Sequence, residues 1–361
     1  MNRLSFSLLL SGLASLLLLV STGASAQTGE SSQFIYVCNQ GSASVTVIDA
    51  STQTIKETVD LQELGFSENA KPHHVVAEPD GSYWYVTLIG ENSVLKFNRN
   101  NELVDQAELE VPGLLALHPQ DDLLFVGRSM SAVNPPQSFG VVNRSSMDVL
   151  DEIDLFFTRP HALTTSSDGN WTFVGSLSEN QLLSYNLEND ESNLTNVAGN
   201  THVYVNFAVH PDGTTMVATG QVSGQLLVFD ISDPVNPMMT DMIKTEAMPW
   251  HPIFSPDGKF VYFGNKQDHS VSVVNMENRT VETVIKGEGL AQPHGAALSQ
   301  DGKYLFISNN NLDGTYSPEG ASSDNPDNPV GTVTVINTET REIVKIIEVG
   351  NYPSGIGTNA W

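Results

Sequence analysis

One unit of about 44 residues recurs along almost the whole chain, and no other feature limits the fold so severely. It is a short apolar strand, a turn reading Pro-Asp-Gly or close to it, and a second strand ending in small or polar residues. Copies read KPHHVVAEPDGSYWYVTL, RPHALTTSSDGNWTFVGS, FAVHPDGTTMVATG, MPWHPIFSPDGKFVYFGN and QPHGAALSQDGKYLFISN, with a degenerate VPGLLALHPQDDLLFVGR. Anchored on the turn, the equivalent positions are Asp80, Gln120, Asp168, Asp212, Asp257 and Asp301, spaced by 40, 48, 44, 45 and 44 residues. Third strands follow as SVTVIDA, SVLKFNR, QLLSYNL, QLLVFDI, SVSVVNM and TVTVINT, alternating as half-buried strands do.

Four short strands per interval predict the blades of a β-propeller. Six complete first-to-second hairpins are present. The segment QFIYVCNQ reads as a second strand and the terminal YPSGIGTNAW as a first strand. Pairing them makes a seventh blade and leaves no open sheet edge. The expected fold is therefore all-β, a seven-bladed propeller of four-stranded blades closed by pairing of the N- and C-terminal strands, and a monomer or weak oligomer.

Four second strands, Tyr36-Val37-Cys38-Asn39, Tyr85-Val86-Thr87-Leu88, Tyr262-Phe263-Gly264-Asn265 and Phe306-Ile307-Ser308-Asn309, carry a recognisable motif. In them the chain resembles the YVTN-repeat family of extracytoplasmic propellers. That resemblance implies a fold rather than one activity, because such propellers include lactonases, haem- and copper-binding modules, and scaffolds.

The first 26 residues read as a leader. Arg3 is the positive head, Leu4 to Val20 the apolar stretch, and Ala24-Ser25-Ala26 a small-x-small cleavage site. Residues 27–361 then form a single propeller, and no later stretch is apolar enough to span a bilayer. The expected location is periplasmic or secreted. The chain holds 42 Asp and Glu against 16 Lys and Arg, a formal charge of −26, which excludes nucleic acid and anionic lipid as partners. Its single cysteine, Cys38, excludes an intrachain disulfide or a cysteine-built metal cluster and reads as a small buried side chain.

In a propeller the first strand of each blade lines the central channel. Seven and six residues before the anchor, at the channel rim, stand His73 and His74, His161, Trp250 and His251, and His294. The other blades carry Gly113-Leu114, Val205-Asn206 and Ser354-Gly355 there. His202 precedes the first strand of blade 5 and approaches the same face, with His269 farther out. His118 and His210 belong to the opposite end, as turn or surface histidines.

Histidines repeated at one rim have two readings. Each ring can pack on a proline and bond a neighbouring blade, or the group can bind metal. Neutral imidazoles suit copper, zinc, nickel and iron, and six are too many for one tetrahedral zinc. His73, His74, His161, His251 and His294, with His202, also resemble part of the copper-cluster histidines in the propeller domain of nitrous oxide reductases. The chain lacks the cupredoxin domain of those enzymes and offers at most six histidines where the cluster uses seven. The resemblance therefore implies a simpler site of one or two coppers.

Arg128 ends a second strand at this face and could meet an anionic ligand or a carboxylate. Trp250 and Tyr204 could wall a pocket or pack between blades. Two insertions, Ser129 to Gln137 and Asn310 to Pro329, emerge nearby, and the spacing of DNPDN in the second does not match a calcium loop. The leading expectation is an exported copper-binding propeller, with zinc and calcium behind copper, serving a small-molecule substrate or a redox protein. A binding scaffold for a protein, peptide or glycan and a lactonase-type hydrolase are the alternatives, and whether the chain is an enzyme stays open.

Overall fold

Alternation within a strand sends successive side chains to opposite faces, so a blade with apolar residues on both faces needs a neighbour on each side. The computed structural model describes residues 33–129, 136–318 and 329–360. The expected leader, residues 130–135 of the first insertion and 319–328 of the second lie outside them. Twenty-eight strands, numbered β1 to β28 along the chain, form seven four-stranded antiparallel sheets. The first blade is β28 (Pro353–Thr358), β1 (Phe34–Asn39), β2 (Ser44–Asp49) and β3 (Thr54–Asp60), in that order from the axis outward. The two chain ends therefore share one blade, as the repeat predicts. Among the described residues no helix is long and apolar enough to cross a membrane.

Seven apolar clusters hold the blades together, one in each space between neighbours. In blade 1, Tyr36, Cys38, Val45 and Val47 face blade 2, where Trp84 stacks on Phe97 at 4.1 Å. Ile35, Val37 and Ile48, one residue away in each strand, face Phe306, Val333 and Val335 of blade 7. The outermost strands are exposed to water. Each turn anchor grips its own hairpin: Asp168 and Asp257 accept backbone N–H groups two residues on, with serine hydroxyls of Ser166 and Ser255 donating to the same oxygens. His118 and His210 lie at this end against Gly169 and Gly258 of the next blade, where a side chain would collide with the imidazole.

The penultimate residue of each second strand is small because the next blade begins there. It is Cys38, Thr87, Gly127, Gly175, Thr219, Gly264 or Ser308. A methyl group on Gly264 would stand 2.6 Å from Pro293, and the Thr87 hydroxyl donates to Gly113 O of blade 3 at 2.9 Å.

The innermost strands converge on the channel: β28, β4 (Pro72–Ala77), β8 (Pro112–Leu117), β12 (Pro160–Thr165), β16 (Tyr204–Val209), β20 (Ile253–Phe254) and β24 (Pro293–Leu298). They approach so closely that Gly355 has no room for a methyl group, whose carbon would lie 2.4 Å from His73 O and 2.7 Å from His74 Cα. Both contacts are backbone and cannot swing aside. Gly355→Ala should therefore lower stability by about 1–3 kcal/mol through overpacking, read from the urea midpoint, and disturb the His73–His74 segment. A midpoint equal to wild type would show that the two strands can separate freely.

Candidate functional site at the channel mouth

The residue before each innermost strand, or in blade 6 before the Pro249 bridge to Asn265, is left-handed and none is glycine: Lys71, Val111, Arg159, Val203, Met248, Gln292 and Tyr352, with φ from 47° to 60°. Such a conformation is unfavourable by about 1–2 kcal/mol, more so for branched valines. One interaction repeats in every blade to hold it. The carbonyl of that residue accepts the N–H of the residue following the second strand, namely Ile89, Ser129, Leu177, Gln221, Lys266, Asn310 and Gln40.

Immediately beyond, six innermost strands break register, between Pro72 and Val75, Pro112 and Leu115, Pro160 and Ala162, Tyr204 and Phe207, Pro293 and Ala296, and Pro353 and Ile356. A bulge inserts an unpaired residue and re-aims the side chains around it. That is how adjacent residues serve one site. His73 reaches His161 and His294 at ring-centroid distances of 5.9 and 6.4 Å, while His74 reaches His251 at 5.9 Å. His251 and His294 stack at 5.1 Å. In blade 6 the segment holding Trp250 and His251 lies outside the ladder, with Trp250 N–H bonded to Gly264 O. Five imidazoles from four blades thus form one continuous group across the axis.

All five are buried. Four nitrogens there, Nε2 of His73, His161 and His251 and Nδ1 of His294, have no hydrogen-bond partner among the described residues, and neither does Trp250 Nε1. A buried polar atom left unpaired is unfavourable, so four in one place mark a binding site or a water cluster. Second contacts set the tautomers. His161 Nδ1 donates to Val205 O at 2.7 Å, leaving a lone pair on Nε2. His73 does the same, more loosely, to Gln40 Oε1 at 3.4 Å. His74 Nδ1 instead accepts Leu115 N–H, so its Nε2 carries the proton. His251 Nδ1 faces Asn206 Nδ2, whose own orientation follows from Asn206 Oδ1 accepting Phe207 N–H.

The spacing suits a shared ion. Rings ligating at about 2.1 Å have centroids about 3.2 Å from the metal, hence about 5.2–6.4 Å from each other. Yet among the described residues no group of three or more His, Cys, Asp or Glu already stands in ligating geometry. Pairs of rings lie at separations that two imidazoles on one ion would have, but as they stand they do not form a set of three. Beneath them the channel continues as a cavity of about 330 Å³ lined by Val75, Leu115, Leu163 and Ile356, with His74 and Asn206 at its inner end.

Several expected site residues sit elsewhere. His202 does not join the group. Its ring stacks on Tyr204, and Nδ1 and Nε2 meet Ser223 Oγ and Ala198 O. Tyr204 is core between blades 4 and 5. His269 accepts Gln292 N–H and faces Asp313, away from the axis. Arg128 offers nothing to a ligand: its fully buried guanidinium bonds Ser138 O, Glu110 O, Ser138 Oγ and Glu152. Of its two readings, an anionic ligand or a carboxylate partner, the structure shows the carboxylate, Glu152 of the same blade. Trp250 does wall the site, 4.2 Å from His294. Lys266 and Gln40 were missed, and Asn206, already placed at the rim, was not counted with the site. The signal for Lys266 was its slot, directly after a second strand, where it alone of seven residues is charged.

Burial holds the imidazoles neutral. His161 is lowered from 6.5 to about 4 and His74 to about 3; His73, His251 and His294 fall well below 6.5, pushed by burial and then by neighbouring rings and Lys266. Unfolded histidines take up protons below about pH 6.5 while these do not, so stability is full above that pH and lost as pH falls. For His74 and His161 the loss is about 1.4 kcal/mol per pH unit each, down to pH 4. Urea midpoints of chelator-treated protein should fall steeply between pH 6.5 and 4.5, and His74→Gln should flatten the slope by one such increment. A midpoint independent of pH over that range would contradict neutral burial.

Comparisons with known proteins agree on the architecture. The family described as "Lactonase, 7-bladed beta-propeller" matches residues 19–241. No curated protein matches the sequence. A functionally unknown protein from Desulfotomaculum acetoxidans DSM 771 is similar in structure, with a TM-score of 0.72 at 15% identity, over 90% of this chain and 98% of that one. Kuenenia stuttgartiensis hydrazine synthase aligns at 0.60 and 19% identity, over 75% and 77% of the two chains. The dihydro-heme d1 dehydrogenase NirN, in complex with DHE, aligns at 0.62 and 13% identity, over 91% and 75%. Similarity at these identities concerns the fold alone. The family match spans more than half of the sequence, and its seven blades are those described above: the chain belongs to the lactonase seven-bladed β-propeller family.

Proposed function

We propose that the channel mouth is a polyhistidine metal site in an exported propeller, with copper as its first candidate. The observation that carries this is the set of four buried, unpartnered imidazole nitrogens gathered from four blades. His73 and His161 would be its primary ligands, because their Nδ1 contacts leave Nε2 lone pairs free. His294 lies within 6.4 Å of His73 and would be the third. His74, protonated on Nε2, would instead donate a hydrogen bond to whatever the site holds. A bound copper would supply one-electron chemistry and Lewis acidity. The leader-like pattern of the first 26 residues supports action outside the cytoplasm.

The family match favours a second reading, a lactonase-type hydrolase. In it the lone pair of His161 or His73 accepts the proton of a water attacking an ester carbonyl while His74 N–H stabilises the carbonyl oxygen that gains charge; the acyl C–O bond then breaks and the same imidazole returns the proton to the leaving alkoxide.

Plasma mass spectrometry of protein purified without chelator or immobilised metal, before and after copper loading, tests the proposal. Expected is about one copper per chain retained through dialysis, lost in the His73→Ala/His161→Ala variant. No metal retained under any loading would overturn it. Hydrolysis of simple lactones in a pH-stat by chelator-treated protein would select the second reading.

A further inference from the structure

We infer that Lys266 and Trp250 form a subsite for a small carboxylate beside the histidines. It extends the reading of the channel mouth as a binding site but needs no bound metal. The first observation is an unpaired cation. With 42 acidic residues against 16 basic ones, a lysine has ample choice of carboxylates. Lys266 Nζ nevertheless has neither an ion-pair nor a hydrogen-bond partner among the described residues. It lies instead over the ring of Trp250 at 4.5 Å and near that of Tyr352 at 6.0 Å. The half-buried Lys266 is also held at its backbone, where its N–H donates to Met248 O at 2.9 Å.

The second observation is a donor with nothing to donate to. Trp250 is 4% exposed and its indole N–H is buried without a partner. Trp250, beneath Lys266 Nζ, has its ring centroid 4.2 Å from that of His294, which places the ammonium against the site. A half-buried ammonium without a counterion is unfavourable, and neutral imidazoles do not compensate it. A carboxylate supplies the missing charge and has two oxygens, one for each donor.

Acetate and acetamide have nearly the same shape and differ in charge, which makes them the probes. In chelator-treated protein at pH 7 and constant ionic strength, the indole N–H resonance of Trp250, assigned with Trp250→Phe, should shift on titration with acetate. Acetamide should bind about tenfold more weakly, the difference expected of a charge-assisted contact. Lys266→Met should lose the preference while Lys266→Arg keeps it. Equal responses to the two probes, or wild-type acetate binding by Lys266→Met, would overturn the inference. If Lys266→Met does not fold, the acetate-to-acetamide ratio in wild type and Lys266→Arg decides alone. Copper retention is measured separately on the same variants. Copper retained without acetate preference removes the subsite and leaves the metal reading; acetate preference without copper does the reverse.

Discussion

Blade-on-blade packing is the interaction on which the remainder of this protein depends. A single blade exposes apolar residues on both faces, as the neighbouring Val37 and Cys38 demonstrate by facing blades 7 and 2. Neither face can be buried within the blade, so the sheets stabilise one another only as a closed ring. Pairing of β28 with β1 closes that ring, so that the first and last strands are paired within one blade. Closure also sets the channel width. Innermost strands held at backbone distance by glycines leave room on the axis for a limited number of rings, and five histidines occupy it.

The site is built from departures from regular β-structure. A left-handed residue turns the chain toward the axis, and a bulge then prevents His73 and His74 from pointing to opposite faces. Both features are unfavourable locally and persist because one hydrogen bond per blade, from the end of the second strand, over-determines them. The result is a layer of neutral imidazoles above an apolar tunnel. Its electrostatics are unusual for so acidic a chain, because the nearest charge is the ammonium of Lys266. Neutral lone pairs and an unsatisfied cation side by side suit a ligand that brings a Lewis acid, an anion, or both.

Much of this was legible in the sequence. The spacing of Asp80, Asp168, Asp212, Asp257 and Asp301 determined four strands per repeat, seven blades and the shared terminal blade, because each period is a local hairpin chemistry repeated. Equivalence of position also predicted that His73, His74, His161, His251 and His294 lie at one rim. Position along a repeat does not determine where a side chain points, however. His202 lies two residues before the innermost strand of blade 5 and turns outward to Ser223, and Arg128 closes on Glu152 in its own blade. Lys266 reaches the site from another slot, directly after a second strand. Those outcomes depend on bulges, left-handed turns and the proximity of strands from distant blades. They arise only when the ring closes, since the contacts that fix each ring nitrogen, such as Val205 O on His161, come from segments tens of residues away.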